Sequence, residues 1–158
     1  LVTAGQAHQA LKAELSRAPW ATDQLRITYL PLMAQTDFDA LLCICDLNFV
    51  RGEDSLVRAL WAGRPFVWQI YPQDDGVHLQ KMNAFLNRFN APQSLEKAFR
   101  AWNGFEPSGL PQLTPEVLSE WGLWSHQLAN ELMAMPDLAE QLCDFLALKL
   151  QQTDAQKL

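Results

Sequence analysis

The stretch DLNFVRGEDSLVRALWAGRPFVW, residues 46–68, decides how the chain folds. An apolar run, "LNFV", gives way to Arg51, Gly52, Glu53, Asp54 and Ser55; an apparent helix, "DSLVRALWA", follows, and a second apolar run begins at Phe66. A strand that hands over to a helix and then to another strand is the repeating unit of a parallel sheet, because parallel neighbours need a crossover between them. The same alternation recurs on both sides. "LVTA" is followed by Gly5 and the amphipathic "QAHQALKAEL", "LRITYL" by "TDFDALLCIC", and "FVWQIY" by "HLQKMNAFLNRFN". Repetition of this unit predicts an α/β fold with a parallel sheet flanked by helices, its strands continuously apolar because both faces are buried.

After Asn90 the strands stop. "PQSLEKAFRAWN" starts with Pro92 where a first helical turn tolerates proline, "SGLPQLTPEVLSEWG" carries helix breakers, and Trp124 to Gln152 reads as two helical runs meeting near Pro136. Residues 1–90 are thus expected to form the α/β region and 91–158 a helical C-terminal part of the same domain, fraying over the last residues, "QQTDAQKL".

Composition narrows the function classes. With 158 residues, 49% of them apolar and 19% charged, the chain can bury one sizeable core, and no apolar run approaches the roughly 18 residues that span a bilayer. The net charge of −6 is spread without a basic block, which argues against nucleic acid as a direct partner. Cys43, Cys45 and Cys143 are odd in number and lack CxxC spacing, so they are expected to be core residues in a reducing cytosol. The six tryptophans sit mostly at core spacing and are read as packing. Leu1 opens what reads as a strand already under way, with neither the basic segment nor the long apolar segment of a signal peptide, and the expectation is a piece of a longer protein.

In open parallel sheets ligands bind beyond the carboxyl ends of strands, in turns that lead into helices. "VRGEDS" occupies such a turn. Gly52 permits a sharp turn or a close approach to a ligand, the amides near Asp54 and Ser55 would be unsatisfied donors at the positive end of a helix dipole, and Arg51 adds a planar fork of donors. That combination suits a diphosphate. Glu53 and Asp54 would repel the same anion, so at least one should face elsewhere, for instance ribose hydroxyls. The competing reading is structural: Asp54 or Ser55 caps the helix, and Arg51 and Glu53 pair at the surface. In the next strand-to-helix turn, "IYPQDDG", Tyr71 and Gln73 could reach the same crevice, or the segment is an ordinary turn. Gln35 stands in a third turn, where an amide could read a base. His78 is a possible general base but more simply a helix-start residue, and Asp37 and Asp39 read as solvated first-turn acids.

The run DLNFVRGEDSLVRALWAGRPFVWQIYPQDDGVHLQKMNAFL strongly resembles the carboxy-terminal domain of the bacterial EarP family, protein-arginine rhamnosyltransferases that modify elongation factor P. RGEDS followed by RA-x-WAG-x-P-x-x-W-x-IYPQ carries the resemblance, and "LPLMAQTDFDALLCICDLNFV" looks like the same family's lead-in, although "LMAQTDFD" stands where something nearer to FxPQDDFD is expected. The resemblance implies one half of a GT-B glycosyltransferase with Rossmann-like domains. This chain would be the half that binds TDP-rhamnose, and the amino-terminal acceptor domain, with an aspartate as general base, would lie outside it. It further implies that Glu53 is essential for catalysis, that Arg51, Gly52, Asp54 and Ser55 line the diphosphate, that Gln35 meets thymine and that Tyr71 borders the donor pocket. No metal and no cofactor besides the donor are implied; the acceptor would be elongation factor P, the compartment the cytoplasm, and the transfer would invert the anomeric centre. An epimerase or other nucleotide-sugar enzyme and a non-catalytic doubly wound binding module are the alternatives.

Overall fold

A computed structural model describes residues 1–17 and 26–155. The chain divides into two compact units, Leu1–Leu41 and Leu42–Leu158, and the expected boundary near residue 90 falls inside the second.

In the first unit α1 spans Gln6–Arg17, and α2, Gln35–Ile44, begins there. The two strands expected before these helices reduce to one parallel bridge between Val2 and Tyr29, closed by Val2 N–H donating to Thr28 O at 2.9 Å and Leu30 N–H to Val2 O at 2.8 Å. From Arg26 to Tyr29 the residues alternate between exposed and half-buried, so the segment lacks the two-sided burial of an interior parallel strand; Leu25, where that strand was expected to start, lies outside the described residues. Tyr29 instead stacks on His8 at 4.4 Å between ring centroids.

The second unit contains the predicted strand–helix–strand. β1 (Asn48–Arg51) runs parallel to β2 (Phe66–Gln69), joined by α3 (Gly52–Ala62), with Asn48 opposite Phe66 and Arg51 opposite Gln69. Among the described residues these two strands form a two-stranded sheet. β2 is buried on both faces, as expected of an interior strand. β1 departs from that expectation: Asn48 and Val50 are buried while Phe49 and Arg51 are exposed, so one face is covered and the other open. Gly63 ends α3 in the left-handed region at φ 62°, and its amide bonds Leu60 O, the usual device for closing a helix against the next strand.

Helices α4 (Val77–Arg88) and α5 (Gln93–Trp102) follow, then α6 (Pro115–Met133) and α7 (Leu138–Ala155). α6 begins well before the expected Trp124. Thr114 caps it, its Oγ1 accepting from Val117 N–H at 3.4 Å with Pro115 next in line, and the helix runs through Gly122. α7 carries on to Ala155, past the expected onset of fraying; residues 156–158 lie outside the described residues. The core gathers Phe66, Val67, Met82, Leu86, Leu95, Phe99 and Trp121, all essentially without solvent contact. Phe66 meets Phe99 at 5.9 Å and Trp124 at 5.7 Å, offset arrangements that add to burial. Trp121 and Trp124 satisfy their indole N–H groups on Ser94 Oγ and Phe89 O.

Two expectations about side chains are corrected. Cys43 and Cys143 are exposed and Cys45 is half-buried, all free: the inward position at the end of α2 belongs to Leu42, and the next residue on a helix points about 100° away. Trp68, Trp121 and Trp124 pack as expected, but Trp61 and Trp102 are exposed; Trp102 lies against Phe49 on the open side of β1, with 4.5 Å between rings. Trp20 lies outside the described residues.

Candidate functional site

Parallel pairing brings the carboxyl ends of β1 and β2 side by side, which places Arg51 next to the segment leading to Tyr71. Arg51 is the last residue of β1 and the N-cap of α3, in extended conformation at φ −132° and ψ 137°, with no side-chain capping bond. Gly52, Glu53, Asp54 and Ser55 form the first turn of α3. The capping alternative fails here, because Asp54 and Ser55 stand inside the helix rather than at its cap. Asp54 accepts from Arg58 Nε at 3.0 Å, one turn along. With the Asp54 side chain 78% exposed, that pair contributes little to stability. The leading amides of an uncapped helix have no carbonyl one turn back to bond, so the start of α3 keeps its positive end open to an anion.

Gly52 is required by more than a turn. Its φ is +77°, and a Cβ built on it would lie 2.7 Å from Tyr71 Cε2 and 2.9 Å from Tyr71 Oη. From sequence, Gly52 was expected to permit a sharp turn or the close approach of a ligand; the group that approaches it here is the Tyr71 ring, which occupies the space a side chain would fill. The same ring lies 5.1 Å from the Arg51 guanidinium, within cation–π range. Trp68 Nε1–H donates to Gly52 O at 2.9 Å, so the buried glycine is contacted by two aromatic residues from β2 and the segment that follows it. Arg51, Gly52 and Tyr71 form one cluster, with Glu53, Asp54 and Ser55 on the turn above it.

The remaining sequence candidates are placed as follows. Gln35 is exposed as the first residue of α2, in the unit Leu1–Leu41. Gln73 donates its backbone N–H to His78 Nδ1 at 3.1 Å and accepts from Lys81 Nζ at 3.2 Å. His78 also lies over Phe105, 5.4 Å between rings, so it is a helix-start residue that organises its own turn, the simpler of its two sequence readings. Asp37 sits in the first turn of α2, as expected. Among the described residues no group of three or more His, Cys, Asp or Glu side chains is arranged to hold a metal ion. Sequence reasoning missed Trp68 as a neighbour of the turn and Asn103 as a partner of the end of β2. The only signal was a buried tryptophan next to a glycine-containing turn, which alone does not say where its indole points.

A family model described as elongation factor P (EF-P) rhamnosyltransferase EarP matches residues 1–147. The chain belongs to the EarP family. Protein-arginine rhamnosyltransferases of Pseudomonas aeruginosa and of Neisseria meningitidis serogroup B are 46% and 47% identical to it over 132 and 138 residues, 79% and 80% of this chain. It spans about a third of the length of those curated EarP relatives, 35% and 36% respectively. A solved structure concerned with EarP-mediated arginine glycosylation of translation elongation factor EF-P is similar with a TM-score of 0.62 and 31% identity, covering 92% of this chain and 50% of that one. The EarP likeness agrees with the parallel sheet, flanking helices and helical C-terminal part.

Proposed function

We propose that this chain is the donor-binding part of a GT-B glycosyltransferase that transfers rhamnose from TDP-rhamnose, with inversion, to an arginine side chain of elongation factor P in the cytoplasm. One observation carries the reading: the RGEDS run, on which the resemblance to the family rests, is also the uncapped start of a helix, with a guanidinium and a tyrosine gathered around its glycine. A nucleoside diphosphate seated there meets the helix amides at Asp54 and Ser55 and the donor fork of Arg51. Tyr71 borders the sugar-diphosphate, Gln35 reads thymine, and Glu53 faces the reacting centre rather than the phosphates.

In the transfer, an acceptor guanidine nitrogen forms a bond to the anomeric carbon while the bond from that carbon to the diphosphate oxygen breaks. The electron pair leaves on the diphosphate, where Arg51 and the helix start stabilise it. The acceptor proton must pass to a base, because arginine is protonated and weakly nucleophilic near neutral pH. That base and most of the acceptor surface belong to the part of the relatives that this chain does not span. The donor carries its own leaving group, and the scheme routes no step through a cofactor. The epimerase and binding-module alternatives have no observation of their own to favour them over the family's reaction.

Titration calorimetry with the 158-residue chain tests the reading. TDP should bind, and Arg51→Ala should weaken TDP by about 1.5 to 3 kcal/mol, the contribution of a hydrogen bond to a charged group, while thymidine, which has no phosphate, loses little. Gln35→Ala should do the reverse, narrowing the preference for TDP over other nucleoside diphosphates. Absence of heat with millimolar TDP would refute the donor-site assignment, and equal losses for both ligands in Arg51→Ala would refute the division of labour.

A further inference from the structure

Asn103, immediately after α5, spends its entire side-chain amide on backbone groups. Nδ2 donates to Trp68 O and to Phe99 O, both at 2.8 Å, and Oδ1 accepts from Ile70 N–H at 3.0 Å. A reversed amide would set its oxygen against two carbonyls, so the orientation is fixed. Two of the three bonds fall on either side of Gln69, the residue that ends β2 opposite Arg51. Ile70 is 3% exposed and past the end of the strand pairing, so without Asn103 its N–H would be a buried donor with no ladder partner. Asn103 therefore sets the course of the backbone at the point from which Trp68 reaches back to Gly52 O and Tyr71 reaches forward over Gly52 and Arg51.

We propose that Asn103 is a positioning residue for the diphosphate end of the donor site, acting through Trp68 and Tyr71, a role that rests on the donor-site reading of the β1–α3 turn. By locking residues 68–70 it holds the Trp68 indole on the Gly52 carbonyl and the Tyr71 ring beside the Arg51 guanidinium, which aims both the helix start and the arginine at the phosphates. The base end of the donor lies outside this chain of bonds. Loss of Asn103 should therefore be felt by a ligand that carries the diphosphate and not by one that lacks it.

The test compares TDP and thymidine by calorimetry for the wild-type chain, Asn103→Ala, Trp68→Phe and the double variant, at a temperature where circular dichroism shows each folded. Both single variants should lose about tenfold in TDP affinity, about 1.4 kcal/mol, with less than about a twofold change for thymidine. Because the two residues lie on one path, the double variant should lose little more than the worse single one. The Trp68 indole N–H resonance should move in Asn103→Ala. A purely structural role predicts a lower melting temperature with both ligands weakened by the same factor, and that result overturns the proposal. If Asn103→Ala does not fold, Asn103→Asp, which keeps the acceptor for Ile70 and loses both donations, is judged by the same ratio. A wild-type chain that binds TDP while the variants leave the ratio unchanged defeats this proposal alone. A wild-type chain that binds no TDP, even with the Trp68 resonance displaced in Asn103→Ala, defeats the donor-site reading and this role with it.

Discussion

At Gly52 a backbone constraint and a packing constraint coincide, and they can be separated experimentally. The left-handed φ of +77° costs any residue with a Cβ on the order of 1 to 2 kcal/mol. The Tyr71 ring adds a second cost, because a Cβ 2.7 Å from its edge must push the ring away from Arg51. Gly52→Ala should therefore destabilise the chain by more than the conformational term. In a Tyr71→Ala background the same change should cost only that term, leaving a coupling of about 1 kcal/mol, within the range for residues in direct contact. Urea unfolding of the four proteins measures it, and additive losses would mean that the ring has room to move. That the glycine at residue 52 would allow an unusual backbone turn was legible in sequence, from its place between an apolar strand run and a helix. That Tyr71 could reach the same crevice was legible too, but that its ring would sit against Gly52 itself was not, because the contact depends on the strand register and on where β2 ends.

Among the elements, α6 differs most from its sequence pattern, and its start explains why. Gly122 and the prolines near residue 111 to 115 read as breakers, yet Pro115 occupies the first helical position, where its missing N–H costs nothing, and Thr114 supplies the cap. Thr114→Ala should destabilise the fold by about 1 kcal/mol. The Thr114 hydroxyl, with the backbone N–H of Glu116 itself second, holds the Glu116 carboxyl below its ordinary range. A carboxylate whose folded-state pKa is depressed contributes stability that is present above its unfolded pKa and is lost as pH falls through the folded value. The gap between wild type and Thr114→Ala should thus be widest near neutral pH and shrink on acidification below about pH 4. Thermal melts of both proteins between neutral pH and about pH 3 decide the matter, and a constant gap would show that the cap works without Glu116. The strands show the complementary limit of pattern reading. "FVWQ" is buried on both faces as its composition implies, whereas "LVTA" and "RITYL", equally apolar to the eye, retain one bridge, because strand formation depends on partners that the segment's own residues do not specify.

For the whole molecule, the family match over residues 1–147 and the small parallel sheet belong together: the donor contacts proposed here are local to this chain, while the match covers only 35% of the length of one of the relatives. A transfer reaction needs both the leaving-group site and an acceptor nitrogen that has lost its proton, and the second requirement has no residue assigned to it within these 158. Under the proposed donor-site reading, Glu53 is the residue of this chain expected to bear on the chemistry itself, since it stands exposed in the first turn of α3 and carries a charge that a bound diphosphate would repel. In a protein of the relatives' full length, Glu53→Gln should keep the fold and most of the affinity for TDP, because the amide preserves the shape of the carboxylate. It should lose transfer as a fall in kcat with little change in KM, the pattern of a group whose interaction is made only in the transition state. A rise in KM at constant kcat would instead make Glu53 a binding residue. The readout is mass spectrometry of elongation factor P after incubation with TDP-rhamnose, and the same assay sets the reach of this chain. Given the donor, the 158 residues alone should leave the acceptor's mass unchanged. A gain of one deoxyhexose from them would place a base within the chain and direct attention to Asp37, Asp39 and His78, the last of which would first have to release the Gln73 amide that its Nδ1 now accepts.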